Sequence, residues 1–146
     1  MIMDFSQKNP GAQHWTQRFN GVPYGKGADG PAAYNCWHFF GWVQREQFGV
    51  EVPIVPQPDR LGAIARAFRD ELGASGWEKV DRPRTGDGVL MAHFQHPSHV
   101  GIYVDDVSNG SVLHCMEGQG SALHTLFHLE AARWRITGFY RPVKGV

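Results

Sequence analysis

Two cysteines and eight histidines are the residues of this chain best suited to act as nucleophile, base or soft metal ligand. Cys36 is the best placed of them for covalent chemistry. In AAYNCWHFFGWVQREQF it stands in the first turn of an amphipathic stretch, directly after an Asn that can cap a helix. Unpaired backbone N–H groups and the helix dipole put partial positive charge at such a position, which favours a thiolate over a thiol. A thiolate that attacks a carbonyl also needs a base, and a Cys–His pair whose imidazole is held by a third polar group is the general solution. His99 opens the run HVGIYV, in which alternation puts His99, Gly101 and Tyr103 on one face and Val100, Ile102 and Val104 on the other. His114 closes SVLHC, and the intervening SNG at 108–110 is a turn that would make the two runs antiparallel neighbours. Adjacent strands lie about 4.8 Å apart, so one imidazole on each can come within hydrogen-bonding range. A helix carrying Cys36 and packed on this sheet would complete a Cys, His, His line.

Other readings of the same residues compete. By residue type alone a cysteine at a helix start is more often a buried structural thiol, and a histidine at a strand start is more often exposed or bonded within the core. His93, His96 and His99 are spaced by three and His124 and His128 by four, which is metal-ligand spacing on a helix. HFQHPSH, however, contains a proline and lies between two strand-like runs, and paired Cys–His zinc motifs are missing. Neither a metal nor another cofactor is expected. Cys115 follows His114 and should point to the opposite face, as a buried and inert thiol.

The elements that must position these residues divide the chain in two. HWTQRF is a short helical candidate, and GVPYGKGADGPAAY is an irregular loop that delivers the chain to Cys36. Trp37, Phe40, Gly41, Val43, Gln44 and Phe48 then recur at helical spacing, which predicts a helix over 36–48. PIVPQPDR breaks the chain, and LGAIARAFRDELG predicts a second helix ending at Gly73. Beyond it DGVLMAHF, HVGIYVDD, SVLHCMEG and ITGFYRP are short β-rich runs separated by turns. Helices first and strands after is the α+β pattern, with one domain expected over 1–146. Fourteen basic and fourteen acidic residues cancel, so no net field attracts nucleic acid. The start, MIMDFSQKNPGAQHW, lacks the features of a secretory signal, and no segment approaches the ~20 apolar residues of a membrane span. Neither nucleic acid nor a membrane is expected as a partner.

Together these segments resemble the NlpC-type cell-wall cysteine peptidases (the NlpC and p-sixty family) of the papain-like superfamily, and in particular the compact members of phage tails and gene transfer agents. HWTQRFNGVPYGKGADGPAAYNCWHFFGWVQREQFGVEVP is similar to the family's opening: a Trp-bearing helix, a G-x-P-[YW] turn, a Gly-rich loop, a Cys-Trp helix start and a later FG-[IV]-x-[LV]-P. GDGVLM, HVGIYVDD, VLHCMEGQG and ITGFYRP resemble the family's later motifs, in the same order. The resemblance implies a papain-like α+β fold, with the nucleophile helix packed on a central antiparallel sheet of about five strands. It implies Cys36 as nucleophile, His99 as base and general acid, and His114 as the residue that orients His99. Tyr24 would donate to the oxyanion, and Asn35, Trp37 and His38 would border the substrate. Two positions depart from the pattern: Asn35 stands where the family usually has Asp, and His38 where it usually has Gly or Ser, so that its imidazole would either crowd the cleft or add a second titrating group. The implied activity is hydrolysis of peptidoglycan stem peptides, most often between D-Glu and the diamino acid, by a component that opens the wall for DNA delivery. The protein would be made in the bacterial cytoplasm without a signal peptide and built into a tail beside tail-tip or hub proteins. The alternative is a structural tail-tip protein that keeps the fold with weak or lost chemistry.

Overall fold

Asn35 begins the central helix: its side-chain oxygen accepts the backbone N–H of His38 at 2.8 Å, closing one of the orphan donors of the first turn. The helix, α1, spans Cys36–Phe48 and stops at Gly49, whose left-handed backbone (φ 67°) lets its N–H bond to the Arg45 carbonyl. One face, with Phe39, Phe40 and Val43, is buried against the sheet. A computed structural model of the chain describes residues 13–53, 55, 58, 62–67, 69, 76–93 and 96–142. Within them the expected HWTQRF helix is a 3-10 helix at Trp15–Phe19. Of the expected second helix, α2 is seen at Ala63–Arg66, and the stretch to Gly73 lies largely outside the described residues.

Six strands follow among the described residues: β1 Trp77–Val80, β2 Gly88–His93, β3 His96–Val104, β4 Ser111–Met116, β5 Gly120–Thr125 and β6 Arg135–Pro142. A short helix, α3, at Leu126–Ala131 separates the last two. All pairings are antiparallel, in the order β1-β6-β2-β3-β4-β5. The architecture is the α+β one expected, with six strands rather than about five. The runs read from sequence are the four inner strands, whereas β1 and β5 are the two edges. The turn at 108–110 joins β3 to β4 as expected, with Ser108 and Asn109 both at positive φ.

Alternation along the strands divides the core. Val100, Ile102, Val104, Leu113 and Cys115 pack with α1, while Val89, Met91, Tyr103 and Val112 pack with Leu129 of α3. At its far end, β6 is tied back to the start of β2 by a two-pronged ion pair. Arg141 donates to Asp87 at 2.9 and 2.7 Å, and the same carboxylate accepts from the Arg84 backbone N–H. The segment before the Gly-rich loop is clasped to β5: Ser121 Oγ accepts from Val22 N–H and donates to the Phe19 carbonyl, both at 2.7 Å, and Gly21 and Val22 exchange backbone bonds with Ser121.

Candidate active site

The loop before α1 is held so that Tyr24 and Cys36 come to one place. Tyr34 N–H bonds to the Pro23 carbonyl, Gly25 N–H to the Tyr34 carbonyl and Asn35 N–H to the Ala28 carbonyl. Cys115 adds an anchor from the sheet, its thiol donating to the Tyr34 carbonyl at 3.4 Å. Cys115 is fully buried, and burial pushes its thiol up to about 11. It is therefore a protonated structural thiol at neutral pH, two residues' reach from the helix start it steadies.

Cys36 opens onto a cavity of about 730 Å³ that is also lined by Tyr24, Lys26, His93, His99, Glu117 and, from the far wall, His124, His128 and Trp134. Strand alternation alone would put the imidazoles of β3 and β4 on the face away from α1. His99 nevertheless shares a cavity with Cys36, because that cavity is lined from the α1 start, from Met116, Glu117 and Gln119 about the β4–β5 turn, and from α3, while His114 lies behind His99. His99 Nε2 and His114 Nδ1 are 2.7 Å apart, within the buried part of the sheet. Both rings are largely withdrawn from water, His114 fully buried and His99 6 % exposed where it lines the cavity. Burial, and secondarily His93, pushes His99 down to about 3. Burial, then His99, His124 and His128, holds His114 well below the usual imidazole range. Both rings are thus neutral at pH 7, each with one N–H and one lone pair.

Gly101 makes this contact sterically possible. It lies two residues along β3 from His99, and a Cβ there would run into the Val112 methyl, with the Leu113 carbonyl at 3.0 Å and His114 Cβ at 3.1 Å. Gly101→Ala is therefore expected to displace His114 and cost about 1–3 kcal/mol of stability. Thermal melts would show the second effect, and loss of the His99–His114 coupling in NMR spectra the first.

The other residues singled out from the sequence divide. Tyr24 lines the cavity. Asn35 is fully buried as the helix cap, so it positions Cys36 from beneath and is out of a substrate's reach. Trp37, expected at the substrate's border, is 2 % exposed and packs against Phe40, its indole N–H bonded to the Pro53 carbonyl. His38, expected to crowd the cleft, turns away from it: its Nδ1–H donates to the Ala28 carbonyl at 3.0 Å, and the ring is not part of the cavity wall. Each residue along a helix turns by about 100°, so the neighbours of Cys36 in sequence face elsewhere.

The histidines with metal spacing also separate. His93 stacks on Trp134, ring centroids 3.6 Å apart, and donates to the Ala132 carbonyl. His96 pairs with His93 in the β2–β3 ladder, so both stand on strands and not on a helix. Among the described residues no three His, Cys, Asp or Glu side chains converge on a common point. Lys26, Glu117, His124, His128 and Trp134 belong to the cavity without having been singled out for it, and only the fold brings them there.

The model of the NlpC/P60 family matches residues 21–134, a span that contains Tyr24, Cys36, His99 and His114 and runs from the Gly-rich loop to the start of β6. No curated protein matches the chain. The helix and antiparallel sheet agree with the papain-like fold of that family.

Proposed function

The chain belongs to the NlpC/P60 family of cell-wall cysteine peptidases and amidases, and on that premise we propose that it is an endopeptidase of peptidoglycan stem peptides, with Cys36 as nucleophile, His99 as base and general acid, and His114 as the residue that orients His99. The observation that carries this reading is the 2.7 Å contact of buried His114 Nδ1 with Nε2 of His99, which lines the cavity onto which Cys36 opens. That contact occupies Nε2 and leaves Nδ1 as the ring atom for the thiol. A neutral His99 takes the Cys36 proton on Nδ1 as sulfur bonds to the scissile carbonyl carbon, and the carbonyl π electrons move to oxygen. The resulting tetrahedral oxyanion supplies the negative charge that makes a protonated ring tolerable in so dry a place. Backbone N–H groups at the start of α1 and the Tyr24 hydroxyl are the donors for the oxyanion. Collapse breaks the C–N bond, and the His99 proton goes to the leaving amine. Water, deprotonated by His99, then attacks the thioester carbonyl and releases the acid and the thiol.

Lys26 and Glu117 put both signs of charge on the cavity wall, which suits a stem peptide carrying carboxylates and an amine close together. We assign the bond between D-Glu and the diamino acid as the one cut, and a phage or gene-transfer-agent tail, among tail-tip or hub proteins, as the setting. Purified sacculi incubated with the reduced protein are expected to release stem-peptide fragments whose masses name the bond. A folded, reduced protein that releases none would overturn the peptidase reading in favour of a structural tail-tip protein.

A further inference from the structure

The row of imidazoles behind the cavity holds three rings. His114 Nε2 lies 2.9 Å from His124 Nδ1, so His99, His114 and His124 form one hydrogen-bonded chain from β3 through β4 to β5. His124 is the member of the row that is partly exposed, and it stacks on His128 of α3, centroids 4.3 Å apart and planes 2° from parallel.

The two bonds share a direction. Each contains one proton between two nitrogens, so a neutral ring that donates through one nitrogen must accept through the other. For His99 to receive a proton on Nδ1, its own proton must be on Nε2, where it donates to His114 Nδ1. The His114 proton is then on Nε2 and is donated to His124 Nδ1. The productive row therefore ends on a lone pair at His124 Nδ1. One extra proton reverses it. If the Nε2 proton of His99 passes to His114 Nδ1 and that of His114 passes to His124 Nδ1, a proton arriving at His99 Nδ1 stays there. The positive charge then resides on His124, and the base has lost its lone pair.

Resting on the assignment of His99 as the base for Cys36, we propose that His124 is a positioning residue of the site: its Nδ1 lone pair fixes the tautomer of His99 through His114, and its protonation disables the base. The acid limb of Cys36 reactivity then reports His124, whose partly exposed ring takes a charge more readily than the dry His99 ring. The titratable groups around His124 are His114 on β4 and His128 on α3, and across the cavity His93, Lys26, Glu117 and Cys36. Burial and then His128 lower His124 from 6.5, which puts that limb below pH 6.5.

Alkylation of Cys36 by iodoacetamide, followed by peptide mass mapping across pH 4.5–8.5, tests this without any peptidoglycan. His124→Asn keeps an acceptor oxygen near the Nδ1 position and does not titrate. It is expected to stay within about 3-fold of the wild-type rate at pH 8 and to move the acid limb down by about one pH unit or more. His124→Phe has no acceptor and is expected to lose about 10-fold or more at pH 8. A limb that stays put in folded His124→Asn overturns the proposal. His99→Ala separates the two levels: if it leaves alkylation unchanged, the base assignment itself fails, whereas if it slows alkylation while His124→Asn leaves the limb in place, only the role of His124 fails. Nitrogen NMR of the wild-type histidines gives an answer that needs no variant. Nε2–H tautomers of His99 and His114 at pH 8, giving way to Nδ1–H as His124 takes its proton, support the proposal, and Nδ1–H tautomers at pH 8 overturn it.

Discussion

Cys36→Ala is expected to reduce stem-peptide release from sacculi by on the order of 10⁴-fold or more, with little change in fold. Removing the sulfur removes the atom that would bond to the carbonyl. The cavity wall also holds imidazoles, the Lys26 amine and the Tyr24 hydroxyl, none of which has the position of Cys36 in the first turn of α1. Asn35 caps α1 through its own side chain and the loop is held by backbone bonds, so the helix start has supports besides the thiol. The informative companion is Cys115→Ala. Its thiol is also buried but is bonded to the Tyr34 carbonyl and pushed up to about 11, so its loss should lower stability by about 1 kcal/mol and keep turnover. Fragment release by mass spectrometry, with melting temperatures for both variants, checks the pair. Equal loss in both would mean that the thiols matter only for packing.

The second large effect is acid unfolding. His99 and His114 are held neutral in the folded chain, at about 3 for His99 and well below the ordinary value for His114, whereas both return to about 6.5 when the chain unfolds. Above pH 6.5 the rings are neutral in both states and stability does not depend on them. Below it the unfolded rings take up protons that the folded ones refuse, so stability falls as the pH drops toward the folded values. Each group contributes a slope of up to about 1.4 kcal/mol per pH unit. Two such groups would exhaust a stability of about 5–8 kcal/mol within a few pH units. Carboxylates titrate mainly below pH 5, so the window from 6.5 to 5 isolates the histidines. Denaturant melts at half-unit intervals in that window should show the fall, and His114→Gln should remove roughly one group's share of the slope. A flat profile between pH 6.5 and 5 would mean that the two rings are wetter than their burial indicates.

How far the sequence carried depends on burial. Residues 36–48 were legible as a helix because Asn35, the apolar face and Gly49 agree on the same bounds. The four inner strands were legible because a strand covered on both sides is rich in Val, Ile, Leu and Tyr, as in HVGIYV. β1, reading WEKV, and β5, reading GSALHT, are edges whose weaker patterns do not predict a strand. Missing β5 hid His124. Once SVLHC and GSALHT are set antiparallel about the EGQG turn, His114 opposes Ala122 and His124 lies two residues further along the same face, within an imidazole's diagonal reach. The period-two spacing of Ala122 and His124 was the available signal. Trp37 and His38 depart from what the resemblance implies for a different reason: each residue of α1 turns by about 100° from the last, so neighbours of Cys36 in sequence face away from the cavity.

The clasp between Ser121 and the Phe19–Val22 segment also governs how the sheet meets other sheets. An edge strand presents backbone donors and acceptors on which a foreign strand can grow. On the β5 side, Gly21 N–H and the Val22 carbonyl already occupy the carbonyl and N–H of Ser121. On the β1 side the edge is four residues long and carries Glu78 and Lys79, both exposed. One border is thus covered by the chain's own backbone and the other is short and charged, so the same loop anchor that steadies the cavity protects the sheet from edge-to-edge aggregation.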